Sequence, residues 1–128
     1  MTDDAHRRPD GVSDETVEAL GKLSAALDHI EQARGYLYSF HRRMGSGERV
    51  LEEATRMIRD AGHDDIADQL DRDVLGGNPI PGMWTFQMVE AFDDGYYATL
   101  IDVHQRALDE LVDGKRHVFE AEMKDLRQ

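Results

Sequence analysis

Residues 84–104, WTFQMVEAFDDGYYATLIDVH, hold five of the nine aromatic residues of the chain beside four acidic residues and one histidine. Laid out at about 100° per residue, the stretch reads as a helix. Phe86, Val89, Tyr96 and Leu100 form its packed face. Glu90, Asp93, Tyr97 and His104 fall within an arc of about 60° on the flank of that face, and Asp94 points further out. Extending the wheel, Val103, Ala107, Leu111 and Val118 stay on the same arc, and Gly114 lies inside it. Because the phase survives this glycine, one helix from Met83 to about Leu126 is predicted, bent or closely approached at Gly114. A chain that breaks at Gly114 and folds back is the rival.

The rest of the sequence supplies partners for this helix. Ser13 is a credible N-cap, with Asp14 and Glu15 where a helix start favours anions. From there Leu20, Leu23, Leu27, Ile30, Leu37 and Met44 mark a seven-residue repeat whose remaining slots hold Arg34 and His41, with Tyr36 and Phe40 widening the stripe. This helix is expected to stop near Met44, at Gly45-Ser46-Gly47. A second begins with ERVLEEATRMIRDAG, placing Val50, Leu51, Ala54, Met57, Ile58 and Ala61 on one face with Gly62 as its C-terminal stop. A short third helix is capped by Asp64 and turns Ile66, Leu70 and Val74 inward. GGNPIPG (76–82) is a loop. No segment alternates with period two, so no sheet is expected. The fold class is therefore all-α and bundle-like, with two long antiparallel helices joined by two short ones. Residues 1–12 are polar and aperiodic and read as a disordered tail before a single helical domain, 13–128.

Composition narrows the chemistry. The 128 residues include no cysteine, which removes disulfides and thiol chemistry. Fifteen basic against 27 acidic residues give a net charge of −12. Phosphate neutralisation needs a basic surface, so direct nucleic-acid binding is not expected, and neither is binding to an anionic membrane. The first residues lack the apolar segment of a secretory signal, and no apolar run approaches a membrane span. A cytoplasmic location is expected.

An arginine in an apolar seam must be paired or must reach solvent, because an unpaired buried charge is costly. Antiparallel packing would set Arg34 and His41 against the flank that carries Glu90, Asp93, Tyr97 and His104. These six residues are the candidate ligand-binding cluster. Equally, a polar seam pair can do no more than fix helix register. Metal chemistry finds no support: no Glu-x-x-His occurs, and the reversed His117-x-x-Glu120 occurs once, in a charged segment. There is no His-Glu-x-x-His, no phosphate-cradling glycine loop and no nucleophile elbow. No catalytic residue and no cofactor can be named.

RGYLYSFHRRMG, IPGMWTFQMVEAFDDGYY and RHVFEAEMK together resemble a family of short, uncharacterised all-helical proteins common in actinobacteria. The shared positions are Arg34-Gly35-x-Leu37-Tyr38-x-Phe40-His41, Trp84-Thr85-Phe86-Gln87-x-Val89-Glu90, Asp93-Asp94-Gly95-Tyr96-Tyr97 and Glu120-Ala121-Glu122-Met123-Lys124. The resemblance covers nearly everything after residue 13. It implies a stand-alone small protein, with no activity to carry over.

An uninterrupted last helix would be roughly 65 Å long against roughly 46 Å for the first. Its overhang would strand Val118, Phe119 and Met123 in water, and a second copy would cover them. Two functions are compatible with these features. One is a non-catalytic interaction or scaffold protein acting as a homodimer. The other is a ligand- or metal-binding helical protein, possibly an enzyme, that uses the polar cluster.

Overall fold

A computed structural model describes residues 2–127. It is all-α: α1 spans Asp14–Asp60, α2 Asp64–Asp73, α3 Thr85–Phe92, α4 Ala98–Val112 and α5 Val118–Leu126, with a π-helical turn, Asp93–Tyr97, joining α3 to α4. Among the described residues there is no strand, only an isolated β-bridge between Ile80 and Met83 in the loop before α3. The chain divides into two compact units. One comprises Met1–Ala33 with Asp93–Gln128, the other Arg34–Phe92.

Two glycine readings are reversed. The first helix does not stop at Gly45-Ser46-Gly47 but runs on to Asp60. Leu37, Met44, Leu51 and Ile58 recur every seven residues straight through the glycines, and all four are half-buried. A helical glycine costs only about 1 kcal/mol relative to alanine, which a continuous packed stripe overrides. Conversely, the helix from Thr85 ends at Val112. Asp113 (φ 55°) and Gly114 (φ 75°) are left-handed, and the amide of Gly114 donates to the Leu108 carbonyl at 2.8 Å. The Asp113 amide turns to the same carbonyl, and the two successive left-handed residues end the helix. His117 is left-handed as well (φ 60°) and starts α5. Opposite signs are therefore expected at the two sites. Gly45→Ala, whose new methyl meets nothing within 4 Å, raises stability by about 1 kcal/mol. Gly114→Ala lowers it by about 1–2 kcal/mol, the cost of a left-handed alanine. Urea titration followed by circular dichroism measures both; a stabilising Gly114→Ala would restore the uninterrupted helix.

In the first unit, Val17 and Leu20 of α1, Leu108 and Val112 of α4 and Val118 of α5 form the core, with Val12, Leu23, Ala107 and Phe119 packed against it. Ser13 caps α1 as expected: its Oγ accepts the Thr16 amide at 3.1 Å. The fold-back after Gly114 leaves Val118 only 4% exposed and seats Phe119 over Gly21. The overhang that argued for a second copy is thus absent.

Residues 2–12 contain no helix, yet they make specific contacts that composition does not reveal. The Arg8 guanidinium grips the Glu122 carboxylate through two hydrogen bonds, 2.6 and 3.1 Å, and reaches Asp14 at 2.7 Å. Glu122 first, and then Asp14, hold the Arg8 pKa above its ordinary value. His6 Nδ1 lies 2.7 Å from the Arg116 carbonyl, and Lys115 donates to the Arg7 carbonyl at 2.9 Å.

In the second unit, the later part of α1 meets α2 and α3. Thr55, Ala67 and Val89 are buried, and Thr55 satisfies its hydroxyl on the Leu51 carbonyl at 2.8 Å. Arg59 binds Asp68 and Asp71 of α2, each at 2.8 Å. His63, not Asp64, occupies the N-cap of α2. The inward face of α2 is Ala67 and Leu70, whereas Ile66 and Val74 point to solvent. Val50 and Met57, expected on the packed face of their helix, are also exposed.

Candidate functional site

A π turn, Asp93–Tyr97, interrupts the helix predicted through this stretch. An α-helix closes hydrogen bonds at i+4; a π turn closes them at i+5, which adds one residue and rotates everything after it by about 100°. Before the turn, Thr85, Met88, Val89 and Phe92 are buried or half-buried, as the helical wheel requires. After it Tyr97, Ile101, His104, Leu108 and Val112 turn inward, each one position later than a predicted residue, while the predicted Leu100 and Ala107 stay half-buried beside them. Tyr96, Val103 and Leu111, predicted on the packed face, are about half or more exposed. Phe86 also leaves that face: it is 44% exposed and its ring lies 5.8 Å from that of Trp84. The turn therefore carries Tyr97 and His104 from the flank to the inner side.

The six candidate residues fall in both units. Arg34, His41 and Glu90 belong to one, and Asp93, Tyr97 and His104 to the other. In the first of these sets, Arg34 lies over the Tyr38 ring, 4.9 Å from its centroid, and donates to the Tyr38 hydroxyl at 3.3 Å. His41 Nδ1 is 2.7 Å from Thr85 Oγ1. Glu90 is exposed. In the second set, Asp93 is half-buried at the start of the π turn, and Tyr97 donates to the Glu31 carboxylate at 2.6 Å. His104 is half-buried.

Tyr38, Thr85 and Glu31 are thus contact partners that sequence reasoning missed. Tyr38 was within reach, since it follows Arg34 by four residues on one helix. Thr85 and Glu31 were not, because their pairings depend on helix register and on the π turn.

What can these groups do chemically? Thr85 and His41 have the spacing of a hydroxyl and a base, but an activated nucleophile also needs that base oriented by a third group. Thr85 is the first residue of α3, and the Trp84 amide beside it is satisfied by the Gln87 side chain at 2.9 Å. That is half of a capping box. The His41–Thr85 contact therefore tethers the start of α3 to α1. Tyr97–Glu31 ties α1 to the helix after the π turn in the same manner.

No buried side-chain polar atom among the described residues lacks a partner. None of them form a group of three or more His, Asp or Glu able to hold a metal ion. A groove in the second unit, about 210 Å³, runs past Met44, Glu48, Gly76, Pro79 and Trp84, and the Glu48 carboxylate there accepts the Gly76 amide. No helix among the described residues is long and apolar enough to cross a membrane. Comparison with protein families, with curated proteins and with solved structures finds no match to this chain in any of the three.

Proposed function

We propose that this protein is a non-catalytic interaction or scaffold protein that acts as a homodimer in the cytoplasm, without direct contact to nucleic acid or membrane lipid. Its polar edge serves packing and register. The observation that carries this reading is the set of large apolar side chains left in solvent on the second unit. Tyr36 is 77% exposed, Met57 70%, Val50 64%, and Ile66 and Trp84 57% each. Single exposed apolar residues are ordinary; several on one small unit mark a surface that another protein covers. The pairwise satisfaction of Arg34, His41 and Tyr97 supports the structural role of the polar edge.

Light scattering on the purified protein at tens of micromolar, with a thermal-shift screen against divalent metals and small anions, tests it. The expected result is the mass of a dimer with no ligand-dependent rise in Tm. A monomer mass removes the homodimer. A rise with a metal or anion that Arg34→Met and His41→Ala abolish would replace this reading with a ligand-binding one.

A further inference from the structure

The second half of α1 carries an apolar stripe that its own unit leaves uncovered. Tyr36, Arg43, Val50 and Met57 are spaced by seven, and each immediately precedes an inward residue: Leu37, Met44, Leu51 or Ile58. They therefore sit about 100° round the helix from the packed face. Interleaved with them, four residues further on, are the exposed Phe40 and Gly47, the half-buried Ala54, and Ala61 in the turn that directly follows α1. The alternating three-and-four spacing is that of a coiled-coil seam. On a packed helix such a seam faces inward. Here Tyr36, Val50 and Met57 are 77%, 64% and 70% exposed, and Phe40 38%.

We propose that this stripe is the self-association surface, and that two copies of α1 pair along it antiparallel. The proposal rests on the homodimer reading above and specifies its geometry. Two features of the seam choose the partner and the direction. The first is size. With the twofold axis between Gly47 and Val50, Tyr36 of one copy faces Ala61 of the other. Val50 then faces Gly47, and Arg43 faces Ala54. Large side chains meet small ones, and Phe40 meets Met57. A Cβ built on Gly47 meets no atom within 4 Å, so this position leaves room for the opposing Val50. Parallel pairing would set Tyr36 on Tyr36 and glycine on glycine, with steric crowding and voids in alternation.

The second feature is charge. Arg43 lies in the stripe towards one end and Glu53 beside it towards the other, while Glu52 is paired with Arg56 of its own helix. Antiparallel pairing brings Arg43 of each copy towards Glu53 of its partner. Parallel pairing would bring like charges together, which is how flanking charges choose orientation in helix pairs.

The test combines mass with cross-linking. Val50→Glu together with Met57→Glu replaces two exposed side chains, so the circular dichroism spectrum should be unchanged while the mass falls from dimer to monomer. Because the chain has no cysteine, introduced thiols report pairing cleanly. The double variant Tyr36→Cys, Ala61→Cys should oxidise to a covalent dimer, whereas Tyr36→Cys alone should not. A wild-type dimer that survives the two glutamates overturns this surface and leaves self-association standing. A covalent dimer from Tyr36→Cys alone overturns the antiparallel direction. A monomeric wild type overturns both the surface and the homodimer.

Discussion

Leu108→Ala is expected to destabilise the protein by about 2–5 kcal/mol, and Leu111→Ala by less than about 1 kcal/mol. The two leucines lie three residues apart on α4 and have equal propensities, so only their surroundings separate them. Leu108 is 5% exposed and belongs to the core with Val17, Leu20, Val112 and Val118; Leu111 is 47% exposed. Truncating Leu108 removes the transfer energy of the buried carbons and leaves a cavity among few neighbours. Against a typical total stability of about 5–15 kcal/mol, that is a large fraction. The helical wheel without a π turn reverses the order, since it turns Leu111 inward. Urea denaturation followed by far-ultraviolet circular dichroism is the appropriate readout. The only tryptophan, Trp84, lies in the other unit, so its fluorescence need not follow this core. A larger loss at Leu111 than at Leu108 would remove the π turn from the structure.

Gly21→Ala is expected to cost about 1–3 kcal/mol, the usual penalty of overpacking. At an uncrowded position inside a helix the same change gains up to about 1 kcal/mol. Here Gly21 is buried, and a methyl group on it would land on the ring of Phe119. Three ring atoms, including the one bonded to the side-chain methylene, fall inside contact distance. The ring cannot clear the methyl by moving only its far edge, so α5 must shift. In a Phe119→Ala background the obstacle is gone, and Gly21→Ala should then stabilise by up to about 1 kcal/mol. The reversal of sign between the two backgrounds is the diagnostic result. A Gly21→Ala that stabilises the parent protein would show that α5 does not sit on α1 there.

The all-α class was legible in the sequence because it follows from local information: helical periodicity, the absence of period-two alternation, and turn residues at 62 and 76–82. The Ser13 cap is local too, and so is the apolar seam of α1, with its half-buried Leu37, Met44, Arg34 and His41. Beyond this, local information misled in a consistent direction. Glycines at 45 and 47 looked like a stop and glycine at 114 did not, yet the structure reverses both. A glycine tolerates a helix as readily as it ends one, and the packing on either side decides which. At Gly45-Ser46-Gly47 the stripe through Leu37, Met44, Leu51 and Ile58 holds the helix together. At Gly114 a left-handed turn brings Val118 and Phe119 back to Val17, Leu20 and Gly21.

The candidate site divides along the same line. The residue types on the polar edge could be read from spacing, since spacing orders side chains around one helix. Their partners could not. A single extra residue in the turn Asp93–Tyr97 moves the centre of the inward face of α4 by one position, from Val103 and Leu111 to His104 and Leu108, and nothing in Asp-Asp-Gly-Tyr-Tyr marks it. Arg34 over Tyr38 follows from four residues of helix. His41 on Thr85, 44 positions away, and Tyr97 on Glu31, 66 positions away, follow from how helices dock, which is a property of the assembled cores and of no segment by itself.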